Sequence, residues 1–256
     1  MKQDFSSITE LPGNRITSGM LEMICLRYHT AARYAKKKRV LEVGCGPGLG
    51  LGYLSRRAGF VVAGDYTENN LLIAKRHYKN KVPLLCLNGE ELPFRKGVFD
   101  LVLLFEVLFY FRDPAAFIKE SSRVLTKGGQ LILCLPNKDI SGFIPSEFSV
   151  RYFSVPELAI LLSREYKNVR LYGAFPLARE PVKTKLRLFR LSLAKIFNYF
   201  PGGKMLKEWL KRFLMKKNIV LGHEINGDLS KGIKMFPLSD KEKNNLFQII
   251  YVIAEK

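Results

Sequence analysis

The sequence predicts an α/β fold: a doubly wound, seven-stranded, mostly parallel sheet with helices on both faces. Three observations predict it. Short apolar runs alternate with helix-period stretches from residue 40 to residue 135, a glycine-rich turn follows the first run directly, and two further strand-like runs stand at 168–173 and 247–254. Continuous apolar runs of four to eight residues read as strands buried on both faces, and their alternation with helices implies parallel crossovers.

In order along the chain, Met20, Ile24, Tyr28, Ala31 and Ala32 recur at helical spacing, which predicts an amphipathic helix over 16–34. The basic run 36–39 closes it, where cations complement the helix dipole. Strands follow at 40–43, 61–64, 83–87, 101–105 and 131–135, with helices at 51–58, 69–78 and 114–125 between them. A helix at 155–166 precedes the strand 168–173, and 247–254 completes the sheet. Between those last two strands, residues 179–217 carry twelve Lys or Arg against two Glu, a balance of +10. Helical spacing recurs there at Leu186, Phe189, Leu193, Phe197 and Phe200, and again at Met205, Trp209, Leu210 and Phe213. The turn Pro201-Gly202-Gly203 separates the two stretches, so a pair of amphipathic helices is expected.

Bulk properties narrow the function classes. A chain of 256 residues, 47% hydrophobic, can bury one sizeable core. No apolar run approaches the ~18 residues of a membrane-spanning helix, since even 99–111 contains Asp100 and Glu106. The first residues lack the apolar centre of a secretory signal, so a cytoplasmic location is expected. Cys25, Cys45, Cys86 and Cys134 form no C-x-x-C pair and read as free thiols, and His29, His77 and His223 offer no metal-ligand spacing, so no metal is expected. The net charge of +19 attracts anionic partners of any kind.

The turn at 44–48, Gly-Cys-Gly-Pro-Gly, carries the chemistry. In an open parallel sheet, ligands bind beyond the carboxyl ends of the strands, and glycines let the backbone approach them closely. A P-loop would need a G-K-[ST] ending, which is missing here. A dinucleotide fingerprint aligned on Gly44 and Gly46 would need Gly or Ala at position 49, where Leu49 stands. Glu42, two positions before the first glycine, suits a cationic ammonium better than a pyrophosphate. About twenty residues further on, Asp65 ends the next strand, where a carboxylate accepts from both hydroxyls of a ribose. Helix capping is the alternative role for Asp65, although Thr67 is also placed to serve it.

Four ordered blocks then match one family: LEVGCGPGLG (41–50), AGDYTENNLLIAKRHY (63–78), LNGEELPFRKGVFDLVLLFEVLFYF (87–111) and RVLTKGGQLILCLPN (123–137). Residues 40–135 thereby resemble the class I S-adenosylmethionine-dependent methyltransferases, in particular those similar to ubiquinone/menaquinone C-methyltransferases. The resemblance implies a Rossmann-like methyltransferase fold with an antiparallel last strand, and S-adenosyl-L-methionine as cofactor. It implies that Gly44, Cys45, Gly46 and Gly48 meet the methionine moiety, that Asp65 binds ribose and that Tyr66 lies on adenine. Asn88, Gly89 and Glu90 would border the adenine edge, with Asn88 standing where the family usually has aspartate. Phe105 and Glu106 would offer backbone carbonyls to the ammonium, beside Glu42.

A looser resemblance, carried by Arg27-Tyr28-His29 and by 148–154, is to bacterial methyltransferases found with polysaccharide biosynthesis. With the change of composition at 179, the expected division is a helical lid (1–39), a cofactor-binding core (40–178), a basic helical insertion or cap (179–245) and the last strand (246–256).

In-line methyl transfer draws on alignment, worth about 7 to 11 kcal/mol in favourable models, and obliges no catalytic residue. For a hydroxyl acceptor, Tyr28, His29, Tyr110, Tyr152 and His223 are base candidates by chemistry alone. Small molecules, glycans and lipid-linked compounds are the acceptor classes expected. Residues 179–217 are expected to rest on anionic membrane, to hold such an acceptor, or to pack on the sheet. Nucleic acid is disfavoured, because the aromatic residues of the basic stretch fall at core-like spacing. A nucleotide-dependent oxidoreductase and a noncatalytic binding protein are the competing classes.

Overall fold

The computed structural model describes residues 3–177 and 219–256, and all elements below lie within them. β1 (Arg15–Ile16) pairs with β8 (Ile219–Val220) in a small separate ribbon. In the main sheet, β2 (Arg39–Val43), β3 (Phe60–Asp65), β4 (Leu84–Cys86), β5 (Phe99–Phe105) and β6 (Leu125–Pro136) pair in parallel. β10 (Phe247–Glu255) lies antiparallel between β6 and β7 (Arg170–Pro176). The order is β4-β3-β2-β5-β6-β10-β7-β9, in which β9 (Phe236–Pro237) is an eighth, edge strand. All seven predicted strands form, and the last is antiparallel as the resemblance implied. β9 escaped prediction because two residues, one of them a proline, show no alternation.

Side chains alternate across the strands and so divide the core between two helical layers. Val40, Ala63, Leu101 and Leu103 face one layer, where α1 (Ser18–Ala35) contributes Ile24, Cys25, Tyr28 and Ala31 and α3 (Glu68–Tyr78) contributes Leu71 and Ala74. Leu41, Val43, Val102 and Leu104 face the other, with Phe117 and Ile118 of α4 (Pro114–Val124) and Leu158 of α5 (Val155–Leu162). Phe117 is wholly buried, so truncating it to Ala costs roughly 3–5 kcal/mol.

The helix ends follow from local chemistry. Asp113 accepts from the backbone N–H groups of Ala115 and Ala116 ahead of Pro114, and Ser154 with Glu157 forms a reciprocal capping box on α5. α1 stops where Lys37 takes a left-handed φ of 60°, inside the predicted basic run. The short α2 (Leu51–Ser55) follows the glycine turn.

From β2 the chain steps outward to β3 and β4, then returns to place β5 on the other side of β2. Connections therefore diverge between β2 and β5, and the carboxyl ends of these two strands open a crevice. The two amphipathic helices expected within 179–217 lie outside the described residues. Of the rest of the expected insertion, residues 219–245 hold β8, a helical turn Gly227–Ser230 and β9.

Candidate functional site

At that crevice lies a cavity of about 660 Å³, within the usual range of ligand pockets. Its floor is the turn after β2. Gly44 has a φ of 72°, and a Cβ there would stand 2.4 Å from a methyl of Val107, so only glycine fits. The N–H groups of Gly44 and Cys45 both donate to the Gly64 carbonyl at 2.8 and 3.0 Å, which fastens the turn to β3. Tyr78, at the end of α3, donates to the Gly48 carbonyl at 2.7 Å and accepts from Gly52 N–H at 3.0 Å. A Cβ on Gly50 would lie 2.0 Å from the ring of Tyr28, so α1 packs directly on the turn.

Asp65 reaches across from β3. One carboxylate oxygen accepts from Gly46 N–H at 2.8 Å; the other accepts from Thr67 N–H at 2.8 Å and from the Asn70 amide at 3.4 Å. Thr67 is the N-cap residue of α3, yet its hydroxyl accepts from Phe5 N–H at 3.1 Å instead of capping. Asp65 thus shapes the turn and also lines the cavity with Tyr66 beside it.

The opposite rim is the turn at Asn88, whose side-chain oxygen accepts from Glu90 N–H at 3.1 Å. The Glu90 carboxylate accepts from Asp113 N–H and so ties the rim to the start of α4. Phe105 packs edge-on to Tyr28 with ring centres 5.5 Å apart. Glu106 follows with a φ of 59°, a left-handed conformation that costs a residue with a Cβ roughly 1–3 kcal/mol.

Ten of the twelve residues expected at the cofactor site line this one cavity: Gly44, Cys45, Gly46, Asp65, Tyr66, Asn88, Gly89, Glu90, Phe105 and Glu106. Two do not. Gly48 turns away toward α3, as its bond to Tyr78 requires. Glu42 is 1% exposed and lies beneath the turn, accepting from the Tyr28 hydroxyl at 2.8 Å while its second oxygen has no hydrogen-bond partner. Glu42 shares the face of Val40 and lies against α1. Burial pushes its carboxyl up to about 8, with Asp65 adding to the rise and the Tyr28 bond and Arg27 opposing it.

An ion cluster completes the wall. Arg27, on the buried face of α1, stands 3.5 Å from both Glu10 and Glu106. Burial works against its charge, but the two carboxylates outweigh burial and hold the guanidinium firmly protonated. Burial lifts the Glu106 carboxyl to about 7 despite Arg27. Arg27 falls between Ile24 and Ala31 on the apolar stripe, and a cation on that stripe is the sequence signal for a buried partner.

Glu10 belongs to the first part of the expected lid (1–39), ahead of the helix predicted from residue 16. Residues 3–10 cross the cavity, and Phe5 has its ring centre 6.2 Å from Tyr66, 5.2 Å from Tyr110 and 6.1 Å from Phe148. Asp4 accepts from Asn69, and Thr9 from Asn70, which straps the segment to α3.

Beyond Glu106 the cavity turns aromatic. Phe109 stacks on Tyr152 at 4.4 Å, Phe143 meets Tyr152 edge-on, and the Tyr110 hydroxyl shares a 2.7 Å hydrogen bond with Ser146. Of the five base candidates, Tyr28, Tyr110 and Tyr152 line the cavity, whereas His29 sits near Tyr53 and Asp228 and His223 stacks on His77. Burial raises all three tyrosines, Tyr110 to about 12, which disfavours them as bases near neutrality.

Comparison with known proteins agrees with this geometry. Residues 41–133 match the model of a family described as a methyltransferase domain. A Mycobacterium tuberculosis protein named "Probable S-adenosylmethionine-dependent methyltransferase" is 30% identical over 155 residues, 58% of this chain and 56% of that protein. A ubiquinone biosynthesis O-methyltransferase of Pelagibacter ubique is 32% identical over 112 residues, covering 43% of this chain and 46% of the relative. The chain thus spans about half the length of the curated relatives it matches. Among solved structures, a SAM-dependent methyltransferase from Thermotoga maritima superposes with a TM-score of 0.57 at 16% identity, over 93% of this chain and 91% of that one, a likeness of fold. Residues 41–133 are thus similar to a methyltransferase domain, and the Mycobacterium relative bears the name of an S-adenosylmethionine-dependent enzyme.

Proposed function

We propose that this chain transfers a methyl group from S-adenosyl-L-methionine, in line, to a small-molecule, glycan or lipid-linked acceptor that enters the aromatic half of the cavity. The observation that carries the reading is Asp65: its carboxylate closes the glycine turn through Gly46 N–H and faces the cavity one residue before the ring of Tyr66. The donor set fits a cationic nucleoside. Acids (Asp65, Glu90, Glu106, Glu10) ring the cavity, and at Gly44 the floor admits no side chain.

When bound, the cofactor would supply an electrophilic methyl carbon on a sulfonium, whose sulfur would be left as a neutral thioether, and the proton of a hydroxyl acceptor would pass to solvent water. The chain's residues bind and orient. The turn from Gly44 to Gly46 would hold the amino-acid end, Asp65 the ribose hydroxyls, Tyr66 and the rim Asn88, Gly89 and Glu90 the adenine. The backbone carbonyls of Phe105 and Glu106 would take the ammonium. Gly48 and Glu42 act from outside the cavity, Gly48 through Tyr78 and Glu42 through Tyr28. Phe5 and Tyr110 exclude water above the reacting end. The aromatic end supports an acceptor with an apolar body, and the name of the Pelagibacter relative supports a hydroxyl on it.

Calorimetric titration with S-adenosylhomocysteine tests the reading, with a nicotinamide dinucleotide as comparator. Binding of the first and not the second is expected; the reverse would overturn it in favour of an oxidoreductase. Labelled-methyl incorporation into lipid, glycan and small-molecule extracts then separates an enzyme from a noncatalytic binder.

A further inference from the structure

The amino ends of the parallel strands form the edge of the sheet opposite the cavity, and this edge is basic. The run 36–39 leads into β2, Lys96 precedes β5, Lys127 stands in β6 and Lys167 precedes β7. β10 runs the other way, so its end brings Lys256 to the same edge. Hydrogen bonds draw these residues together across the sheet. The Lys38 ammonium donates to the Gln130 side chain of β6 at 3.1 Å, past the intervening β5. Lys256 N–H donates to the Gly129 carbonyl at 3.0 Å, Gly128 N–H to the Lys256 carbonyl at 3.3 Å, and Lys167 N–H to the Glu255 carbonyl at 3.0 Å. Burial, with Lys96 beside it, lowers the pKa of the Lys256 ammonium against the pull of Glu165.

Much of this charge is unanswered. Asp100 is taken up by Arg39, which gives it a backbone N–H at 2.9 Å and two guanidinium bonds at 3.2 and 3.0 Å. Glu165 and Glu255 are the acids beside Lys167 and Lys256. Lys37, Lys96, Lys127 and Lys167 are exposed, and none of them forms an ion pair among the described residues. In their midst Phe60, the first residue of β3, is 51% exposed; it lies in register with Arg39, and its N–H donates to the Lys38 carbonyl at 3.1 Å.

The chemistry of the edge identifies its partner. β2, β5, β6 and β10 are neighbours, and at about 4.8 Å between strands their ends fall within about 15 Å. The free cations are ammonium groups on long stems, which suit a diffuse anionic surface, whereas the planar fork of Arg39 is committed to Asp100. One exposed aromatic ring gives nucleic-acid bases no stacking platform. Clustered lysines around an apolar side chain match a bilayer with anionic headgroups, where apolar insertion and headgroup attraction add. The cavity edge has the opposite character, with Glu10, Asp65, Glu90 and Glu106 against Arg27 and Arg112, so the field of the molecule turns the mouth away from such a surface.

We propose that the amino edge of the sheet, through Lys37, Lys96, Lys127, Lys167 and Phe60, docks the protein on an anionic phospholipid surface with its cavity facing the aqueous phase. No helix among the described residues is long and apolar enough to cross a membrane, and the docking is peripheral. It does not depend on the methyltransferase reading.

Flotation of the full chain with phosphatidylcholine vesicles, with and without phosphatidylglycerol, is the test, and a labelled duplex oligonucleotide is the comparator. Three variants accompany the wild type: Lys96→Gln with Lys127→Gln and Lys167→Gln, then Phe60→Ser, and Val150→Glu as a control at an exposed side chain of the cavity edge. The wild type is expected to float with the anionic vesicles alone and to be released as salt approaches about 1 M, where the Debye length shrinks to about 3 Å. The triple variant should bind roughly a hundredfold more weakly, about fivefold for each lysine, and Phe60→Ser about tenfold more weakly. Val150→Glu should float like the wild type, and the thermal midpoints should stay unchanged. Triple and Phe60→Ser variants that float like the wild type would overturn the proposal by moving the contact off this edge. A wild type that binds neither vesicle, or binding lost in Val150→Glu, would overturn it too. Tighter binding to the oligonucleotide than to the vesicles would overturn it in favour of nucleic acid.

Discussion

Replacing Asp65 with Asn keeps the shape of the side chain and removes its charge and one of its acceptor oxygens. In the structure both oxygens are used at 2.8 Å, one by Gly46 N–H and one by Thr67 N–H. An amide can satisfy one of these donors, while its NH2 must face the other. A buried donor left unmet costs about 1–3 kcal/mol, so the ligand-free protein should lose that much stability. For a chain of this size each kcal/mol lowers the midpoint by roughly 2–4 °C, giving a shift of about 2–12 °C. Cofactor affinity should fall separately. Hydrogen bonds from two hydroxyls to a charged acceptor are worth about 1.5–3 kcal/mol, which is roughly 10- to 150-fold in Kd. Differential scanning calorimetry measures the first effect and titration with S-adenosylhomocysteine the second. Unchanged affinity with a lowered midpoint would refute the ribose role and leave Asp65 as a brace of the turn; no change in either would refute both.

Gly44→Ala forces a left-handed alanine against Val107, at a combined cost of about 2–5 kcal/mol, and should abolish measurable titration with S-adenosylhomocysteine. Arg27→Met leaves Glu10 and Glu106 without their cation and should destabilise the fold by roughly 3–5 kcal/mol in urea at pH 8. Part of that loss should return near pH 5, where Glu106 takes up a proton. Glu42 is raised from 4.5 to about 8, so the folded state holds a proton that the unfolded chain releases: its favourable contribution is complete below pH 4.5 and is lost as pH rises to about 8. Glu42→Gln should therefore flatten the decline in urea stability between those two pH values.

The sheet was legible in the sequence because buried parallel strands need unbroken apolar runs, and 40–43, 61–64 and 101–105 supply them. The turn at 44–48 and Asp65 were legible because both depend on local spacing. Glu42 was legible as an acid beside the glycines, whereas its bond to Tyr28 exists only once α1 packs on β2. Residues 3–10 fell within the expected lid (1–39), but the contacts that make them a strap were not legible, for a different reason. Phe5 meets Thr67, Tyr110 and Phe148 through contacts spanning 62 residues and more, and no period in the chain encodes them. The pairing of Arg27 with Glu106 likewise exists only once α1 lies across β5.

The position of β10 bears on how the protein is made. Phe247–Glu255 follows every other strand among the described residues, yet it sits inside the sheet, pairing with β6 on one side and β7 on the other. A ribosome therefore delivers the cofactor turn, β3 and β5 long before the strand that joins β7 to the sheet. Until residue 255 emerges, the nascent chain carries β6 as an open apolar edge, the stage at which strand-edge association is most damaging. Chaperone occupancy during translation should accordingly peak between the release of β6 and the release of β10, and slow codons upstream of residue 247 should prolong it.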